Sequence, residues 1–414
     1  MRLAVFLLFF LIATAAWSQS WSWSGHVKAQ PALTTFSDNS LYSSLTESPL
    51  LDRNAALRLN TDYTYNAWHL ELNYQLYGLA GDSLALAQLS QALLPGQSII
   101  PSDDHRLWNL SADIETNERR YIGHRLDRLS FTYTGEKSVV RVGRQAISWG
   151  NGFIFNPMDI VNPFDPTTVD TEYKTGDDMV YAQYLLDSGA DTQFVAVPRR
   201  NRAGDVDESV SSVAGKYHTF IGSHEIDVLV AQHYNDTVVA LGGVWSLGGA
   251  IARADIVTTD SAGHQITSAV ANLSYSWLWW QRNISGTMEY YRNGAGIANG
   301  DYSAANLAQK PELLERFYRG EVYNLARDYL GASVTIEMHP LWLLTPNLFY
   351  NLNDYSAMTQ IVSSHDLAES LQLFVALQIP VGGRGTEFGG IESGVEGLYL
   401  EVGKSINAQL AWYF

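Results

Sequence analysis

The sequence predicts an all-β fold, a transmembrane antiparallel barrel of about 18 strands (16 as the alternative), with short turns at one end and long loops at the other. Three observations predict it. Apolar and polar residues alternate with period two in segment after segment of about 10 residues, the length of a tilted spanning strand. The connections between these segments separate by parity into a brief set and a long set. Beyond the first residues no apolar run is long enough to cross a bilayer as a helix. Yet the chain is aromatic-rich and charge-poor, with 12 Trp, 23 Tyr and 15 Phe and only 17% charged residues.

The first residues have their own pattern. Arg2 is a short positive region, Leu3 to Ala15 is an apolar run of about 13 residues, and Ala16 and Ser18 are small residues flanking Trp17. That run is too short for a spanning helix of about 20 residues. Residues 1–18 are therefore expected to be a removable secretory signal, and 19–414 a single barrel domain. Cysteine is absent, so no disulfide framework holds an exported chain of this size. With 26 Lys and Arg against 43 Asp and Glu, the formal charge is −17. That excludes nucleic acid as a natural partner and a polybasic surface seeking anionic lipid.

The alternation is clearest in four places. Trp68, Leu70, Leu72, Tyr74 and Leu76 alternate with His69, Glu71, Asn73, Gln75 and Tyr77. Leu57, Leu59 and Tyr63 alternate with Arg58, Asn60, Asp62 and Thr64. Leu330 to His339 and Leu371 to Ile379 repeat the pattern. The expected strands are 22–35, 53–65, 68–79, 125–134, 138–148, 178–186, 191–199, 211–221, 224–235, 237–246, 249–259, 265–277, 282–291, 329–339, 342–352, 357–364, 369–379 and 405–414. If the first strand starts in the periplasm, the periplasmic turns fall near Asn66, Gly135, Asp187, Gly222, Leu247, Trp279, Pro340 and His365, and all are brief. The outer set contains every long connection: 36–52, 80–124, 149–177, 200–210, 292–328 and 380–404. Lipid offers a backbone no hydrogen-bond partner, so a spanning sheet must close on itself. Trp277, Trp279, Trp280, Trp342 and Trp412 fit an aromatic girdle at the periplasmic rim.

The chain finishes "SINAQLAWYF", with Ile406, Ala408, Leu410, Trp412 and Phe414 on one face and Ser405, Asn407, Gln409, Ala411 and Tyr413 on the other. This resembles the last strand of a bacterial outer-membrane barrel. The resemblance implies the outer membrane of a Gram-negative bacterium and lipid around the wall. It also implies a barrel-assembly machinery that recognises the final aromatic, with Trp412 and Phe414 as its signal. No plug domain has room before the first strand, which disfavours a TonB-dependent receptor.

"RQAISWGNGFIFNPMDIVNPFDP", residues 144–166, packs chain-breakers between two strands. Gly150 and Gly152 allow close approach to a wall. Pro157, Pro163 and Pro166 fix φ and remove donors. Asn156-Pro157-Met158-Asp159 and Asn162-Pro163-Phe164-Asp165 are expected to form two rigid, self-capped turns. The segment resembles a Gly-Arg-Gln, Trp-Gly and Asn-Pro-x-Asp motif of poorly characterised outer-membrane barrel families, and "TEFG" at Thr386–Gly389 is similar to a late feature of the same group. Some members are encoded beside inner-membrane exporters of the resistance-nodulation-division type; others resemble substrate-specific porins. Asn151 stands where some relatives carry an acid. By analogy with general porins, whose third loop folds inward, residues 149–177 are expected to be a constriction, with Trp149, Gly150, Gly152, Asn156, Pro157, Asp159, Asn162, Pro163 and Asp165 shaping it.

Arg58, Arg128, Arg141 and Arg144 are candidates to face the lumen, although Arg141 and Arg144, three apart on one strand, cannot both do so. Inward arginines opposite loop carboxylates would make a transverse field; otherwise they pair structurally across the interior. Asp159, Asp165 and Asp170 share a loop with Asn side chains, but their spacing matches no defined Ca²⁺ loop, so no metal and no cofactor is expected. In 303–326, Leu313, Leu314, Phe317 and Tyr318 recur at helical spacing, with Ser303 as a cap and Pro311 with Glu312 as a start. No Gly-x-Ser-x-Gly, His-Glu-x-x-His or phosphate loop occurs, and an enzyme is not expected. The expected function is a porin-like channel passing small polar solutes, cations or neutral molecules rather than phosphate-like anions. One alternative is an outer-membrane part of an export or lipid-transport system with a periplasmic or inner-membrane partner. The other is a barrel lipid hydrolase.

Overall fold

The computed structural model describes residues 19–90 and 100–414, so the expected leader at 1–18 lies outside the described residues. Eighteen strands form a closed antiparallel barrel. They are β1 Gln19–Thr35, β2 Leu50–Tyr65, β3 Trp68–Gly81, β4 Arg120–Thr134, β5 Ser138–Gln145 and β6 Asp177–Leu185. Next come β7 Asp191–Val197, β8 Ser212–Ile221, β9 His224–His233, β10 Asp236–Leu247, β11 Ala250–Ser261 and β12 His264–Trp279. The last six are β13 Arg282–Arg292, β14 Asp328–His339, β15 Trp342–Asn351, β16 Ala357–Ala368, β17 Leu371–Val381 and β18 Lys404–Tyr413. Each strand pairs with its chain neighbours. β1 also pairs with β18, where Val27 lies opposite Trp412 and Leu33 opposite Ile406. That seam leaves no open edge for lipid to meet.

Alternation decides which side chains meet lipid. On β9, Val228 and Val230 are exposed while Asp227, Leu229, Ala231 and His233 are buried. On β18, Ile406, Leu410 and Trp412 point outward and Ser405 and Ala411 inward. The connections at one end are the tight ones. Several need positive φ: Asn66, Gly222, Gly248, and both Trp280 and Gln281. All the long connections gather at the other end, as the parity of the sequence requires.

Trp277, Trp279, Trp280 and Trp412 are exposed near the tight-turn end, joined there by Trp21, Trp23 and Trp68. Trp342 shares this outward face but is partly covered. It stacks on His365 at 5.1 Å and donates its ring N–H to Ser363 at 2.9 Å, both on the same side of the wall as exposed Leu348 and Ile361. The expected helices are present at Ala304–Leu307, capped by Ser303, and Pro311–Tyr318, with proline in its first turn. Among the described residues, features without a counterpart in the sequence reading include helices at Leu41–Leu45 and Asp82–Ser90, an extra strand, Ser111–Asn117, that pairs with β4, and a short ribbon of Ile391–Glu392 with Tyr399–Leu400.

Candidate functional site: an inward loop and the lumen it leaves

The segment between β5 and β6 runs around the inside of the barrel, and its contacts follow strand order. Trp149 donates its ring N–H to Gln193 on β7 at 2.7 Å. Asn151 binds Asp255 on β11 through its backbone N–H at 2.6 Å and its side-chain amide at 2.7 Å. The backbone N–H groups of Phe153, Ile154 and Phe155 all donate to Glu289 on β13, at 2.6, 3.0 and 2.6 Å. Phe155 stacks on Tyr291 of the same strand at 4.6 Å. Further along, the carbonyl of Thr167 accepts from Gln360 on β16 and Gln378 on β17, at 2.9 and 3.1 Å. Asp170 and Glu172 then meet Lys28 on β1 at 2.6 and 2.7 Å, and Tyr413 on β18 donates to Glu172 at 3.1 Å. The guanidinium of Arg58 on β2 covers the Tyr173 ring at 3.7 Å, and Arg128 on β4 donates to the Lys174 carbonyl.

Local chemistry shapes this circuit. Gly150 has φ +92, and a methyl group there would strike the Asn156 side chain. At Gly152 a Cβ would lie 1.8 Å from the Phe155 carbonyl oxygen, so only glycine fits the approach. The first Asn-Pro unit closes as a turn: the Asp159 N–H donates to the Asn156 carbonyl at 3.2 Å, and the Asn156 amide donates to the Trp149 carbonyl at 2.8 Å. Pro157 and the residues around it carry Met158, Ile160 and Val161 into an apolar cluster. The second unit differs. Asn162 takes φ +50, the Pro163 carbonyl accepts from Tyr323, and Asp165 caps the turn after it through the N–H and hydroxyl of Thr167, each at 2.8 Å. Asp159 is held by Lys174 at 2.6 Å, with both side chains buried. Asp159, Asp165 and Asp170 thus have separate partners.

The wall behind the loop is apolar on one side. Inward residues of β6 to β11, among them Met179, Val195, Leu229, Val238 and Val257, pack with Trp149, Met158, Ile160 and Val161 of the loop in one buried cluster. Burial of such side chains stabilises by roughly 1.5–3 kcal/mol each, so the loop is fastened by packing as well as by hydrogen bonds. Among the described residues, two sizeable cavities lie beside the loop. One of about 640 Å³ lies between residues 167–172 and the inner faces of β1, β2, β17 and β18. The other, about 460 Å³, lies under residues 145–149 and includes His69, Arg141 and Gln183.

The four candidate arginines divide. Arg58 is buried and pairs with Asp127 at 2.8 Å, and Arg128 reaches the same carboxylate at 2.9 Å. Arg58 faces inward by the alternation of β2, and Arg128 does so beside Asp127 because a register shift against Asn73 and Tyr74 lets those two point the same way. Arg141 faces the lumen and donates to Thr132 at 3.1 Å. Arg144 does not face the lumen. It lies opposite Leu129 and Asp178 on the outward face, where the 103–111 segment covers it with Asp103 at 2.9 Å, Asp178 at 2.8 Å and the Trp108 carbonyl. Period-two alternation across Val140 and Val142, both exposed, forces this.

"TEFG" anchors the mouth. Glu387 accepts from the Leu325 N–H at 2.7 Å, Tyr329 at 2.6 Å and Asn351 at 2.7 Å, tying two long loops to β14 and β15. Phe388 is buried in the second apolar cluster, and Gly389 has no room for a Cβ. Sequence reading missed Asp255 and Glu289, and marked Glu387 only as part of the Thr386–Gly389 segment without a role. The signal for the first two is a lone acid at an inward position of a strand whose neighbours face lipid.

An apolar exterior band, a closed even-numbered antiparallel wall and a loop-filled polar interior define a porin-like transmembrane β-barrel of the outer-membrane class. No family model matches the chain, and no curated protein matches it. Among solved structures it is similar to Wzi, an Escherichia coli outer-membrane protein involved in group 1 capsule assembly and described as a carbohydrate-binding β-barrel. That similarity has TM-score 0.53 and 9% identity, covering 94% of this chain and 84% of that one. It is also similar to Acinetobacter baumannii OccAB4, with TM-score 0.51 and 8% identity, covering 96% and 99%. At such identities the likeness is one of fold.

Proposed function

We propose that the protein is a passive outer-membrane channel for small polar solutes, with residues 149–177 as its constriction. The carrying observation is the circuit of the loop. It covers the apolar part of the inner wall and leaves a larger cavity whose lining residues are mostly amides and hydroxyls, with Asp170 and Glu172 beside them. A conduit for lipid would keep an apolar surface open to its cargo; here that surface is occupied by Trp149, Met158, Ile160 and Val161. Selection is by shape and by the polarity of the lumen, and no bond is made or broken. The test is unitary conductance of the refolded barrel in planar bilayers. Deleting 151–166 is expected to enlarge the unitary current, and an unchanged current would refute the constriction.

A further inference from the structure

The larger cavity has a chemistry of its own. Register places Phe374, Gln409, Gln30 and Asn54 in one transverse row across β17, β18, β1 and β2. Phe374 lies opposite Gln409, and Gln30 opposite Asn54. The Gln30 and Gln409 side chains hydrogen-bond to each other across the seam. That bond uses one polar atom of each amide. Among the described residues, the second polar atom of each, and the whole Asn54 amide, have no protein partner. The carboxylates on the loop side, Asp170 and Glu172, share the single positive charge of Lys28, which leaves that side of the cavity with one net negative charge. The row itself carries only uncharged donors and acceptors, it faces a loop with a residual negative charge, and the Phe374 ring stands at its end.

We propose that this amide row is a binding site for a neutral polyhydroxylated solute of mono- to disaccharide size. An amide offers both a donor and an acceptor, which matches a hydroxyl that needs both. An aromatic ring covers the apolar C–H face of such a solute, and the 640 Å³ cavity lies within the usual range of small-ligand sites, roughly 300–1,000 Å³. An anionic solute would meet the residual negative charge of Asp170 and Glu172, while a neutral one meets only the amides and the ring. The inference rests on the channel reading for its biological meaning, but the site can be tested without it.

The experiment adds sucrose to the full barrel in a planar bilayer and reads the ion current, with potassium gluconate as the charged comparison. The expected result is saturable interruption of the current by millimolar sucrose and weaker interruption by gluconate. In the Phe374→Ala, Gln409→Leu double variant the half-blocking concentration is expected to rise at least about tenfold. Current that flows but ignores sucrose, or that gluconate blocks equally well, overturns the site and leaves the channel standing. Absence of any current overturns the channel reading. The site is then decided by titration calorimetry of sucrose into the folded detergent-solubilised protein, where saturable heat supports it and none refutes it. If the double variant does not fold, the wild-type comparison of sucrose with gluconate still decides.

Discussion

Asn151 and Asp255 are joined twice, backbone N–H to one carboxylate oxygen at 2.6 Å and side-chain amide to the other at 2.7 Å. An amide at 151 can donate to a carboxylate, whereas an acid there would face it with like charge. Asn151→Asp is expected to unfasten the first anchor of the loop while leaving the wall intact, since two close carboxylates cannot both ionise cheaply. Limited proteolysis within 149–177 should quicken, and the unitary current should become noisier. Unaltered cleavage and noise would show that Asp255 is not an anchor.

Glu289 holds three consecutive backbone N–H groups, those of residues 153–155. Removing the acceptor leaves buried donors unpaired, at about 1–3 kcal/mol each. Glu289→Ala is therefore expected to release this part of the loop and raise mean conductance. Glu289→Gln, which keeps one carbonyl acceptor, should fall between it and the parent. Equal conductance of all three proteins would refute the assignment.

Asp127 is surrounded by Arg58 at 2.8 Å, Arg128 at 2.9 Å and Arg125 at 3.3 Å. The pairing is lopsided, and so is the expected cost of breaking it. Asp127→Leu strands three inward guanidinium groups and should destabilise by about 3–5 kcal/mol, the range for breaking a buried pair. Arg58→Met leaves the carboxylate two partners and should cost clearly less. Urea unfolding in lipid vesicles, followed by tryptophan fluorescence, measures both, and equal losses would contradict the asymmetry.

Much of the wall was legible because a period of two is a local signal. The strand positions, the parity of the connections and the helices at Ala304–Leu307 and Pro311–Tyr318 all follow from short stretches, while ends such as Arg120 of β4 and Ala368 of β16 lie beyond the expected 125–134 and 357–364. What stayed hidden depends on meetings between distant residues. Nothing near Asp255 or Glu289 says that residues 151 and 153–155 will dock there, more than 100 positions away. The bulge that turns both Asp127 and Arg128 inward breaks the very alternation used to read the strand. Arg144 shows the reverse case. Parity alone said that it and Arg141 oppose each other, but only the 103–111 segment explains how a charge on the outward face is satisfied. Trp342, placed at the rim by its position near a turn, also has the parity of exposed Leu348, and the two signals agree.

Glu387 gives the mouth a pH dependence. Burial raises its carboxyl to about 7, against the hydrogen bonds from Tyr329 and Leu325 that favour the ionised form. Between the ordinary glutamate value of 4.5 and about 7, the folded mouth binds a proton that the unfolded chain does not. Its stability is therefore greatest below that window and falls as pH rises through about 7. Hydrogen exchange, corrected for intrinsic rates, should show less protection at 325–329 and 382–391 at pH 8 than at pH 5. Glu387→Gln should flatten the difference, and a difference that survives the substitution would assign it to another group.

Gly25 sits at the closing seam, where its N–H donates to the Phe414 carbonyl at 2.9 Å and its carbonyl accepts from the Phe414 N–H at 3.0 Å. A Cβ at this position would lie 2.3 Å from the Arg58 carbonyl oxygen and 2.8 Å from the Phe414 ring. One neighbour is backbone of β2 and cannot yield without moving the strand. Gly25→Ala is expected to cost about 1–3 kcal/mol, the usual penalty for overpacking, and Gly25→Val more. The fraction migrating as a folded, heat-modifiable band in gel electrophoresis should fall in that order. Gly383→Ala, where the added methyl meets open space, is the matched control and should match the parent. A Gly25→Val protein as fully folded as the control would mean that the seam tolerates a side chain there, and that closure does not depend on the close approach of Gly25 to Arg58 and Phe414.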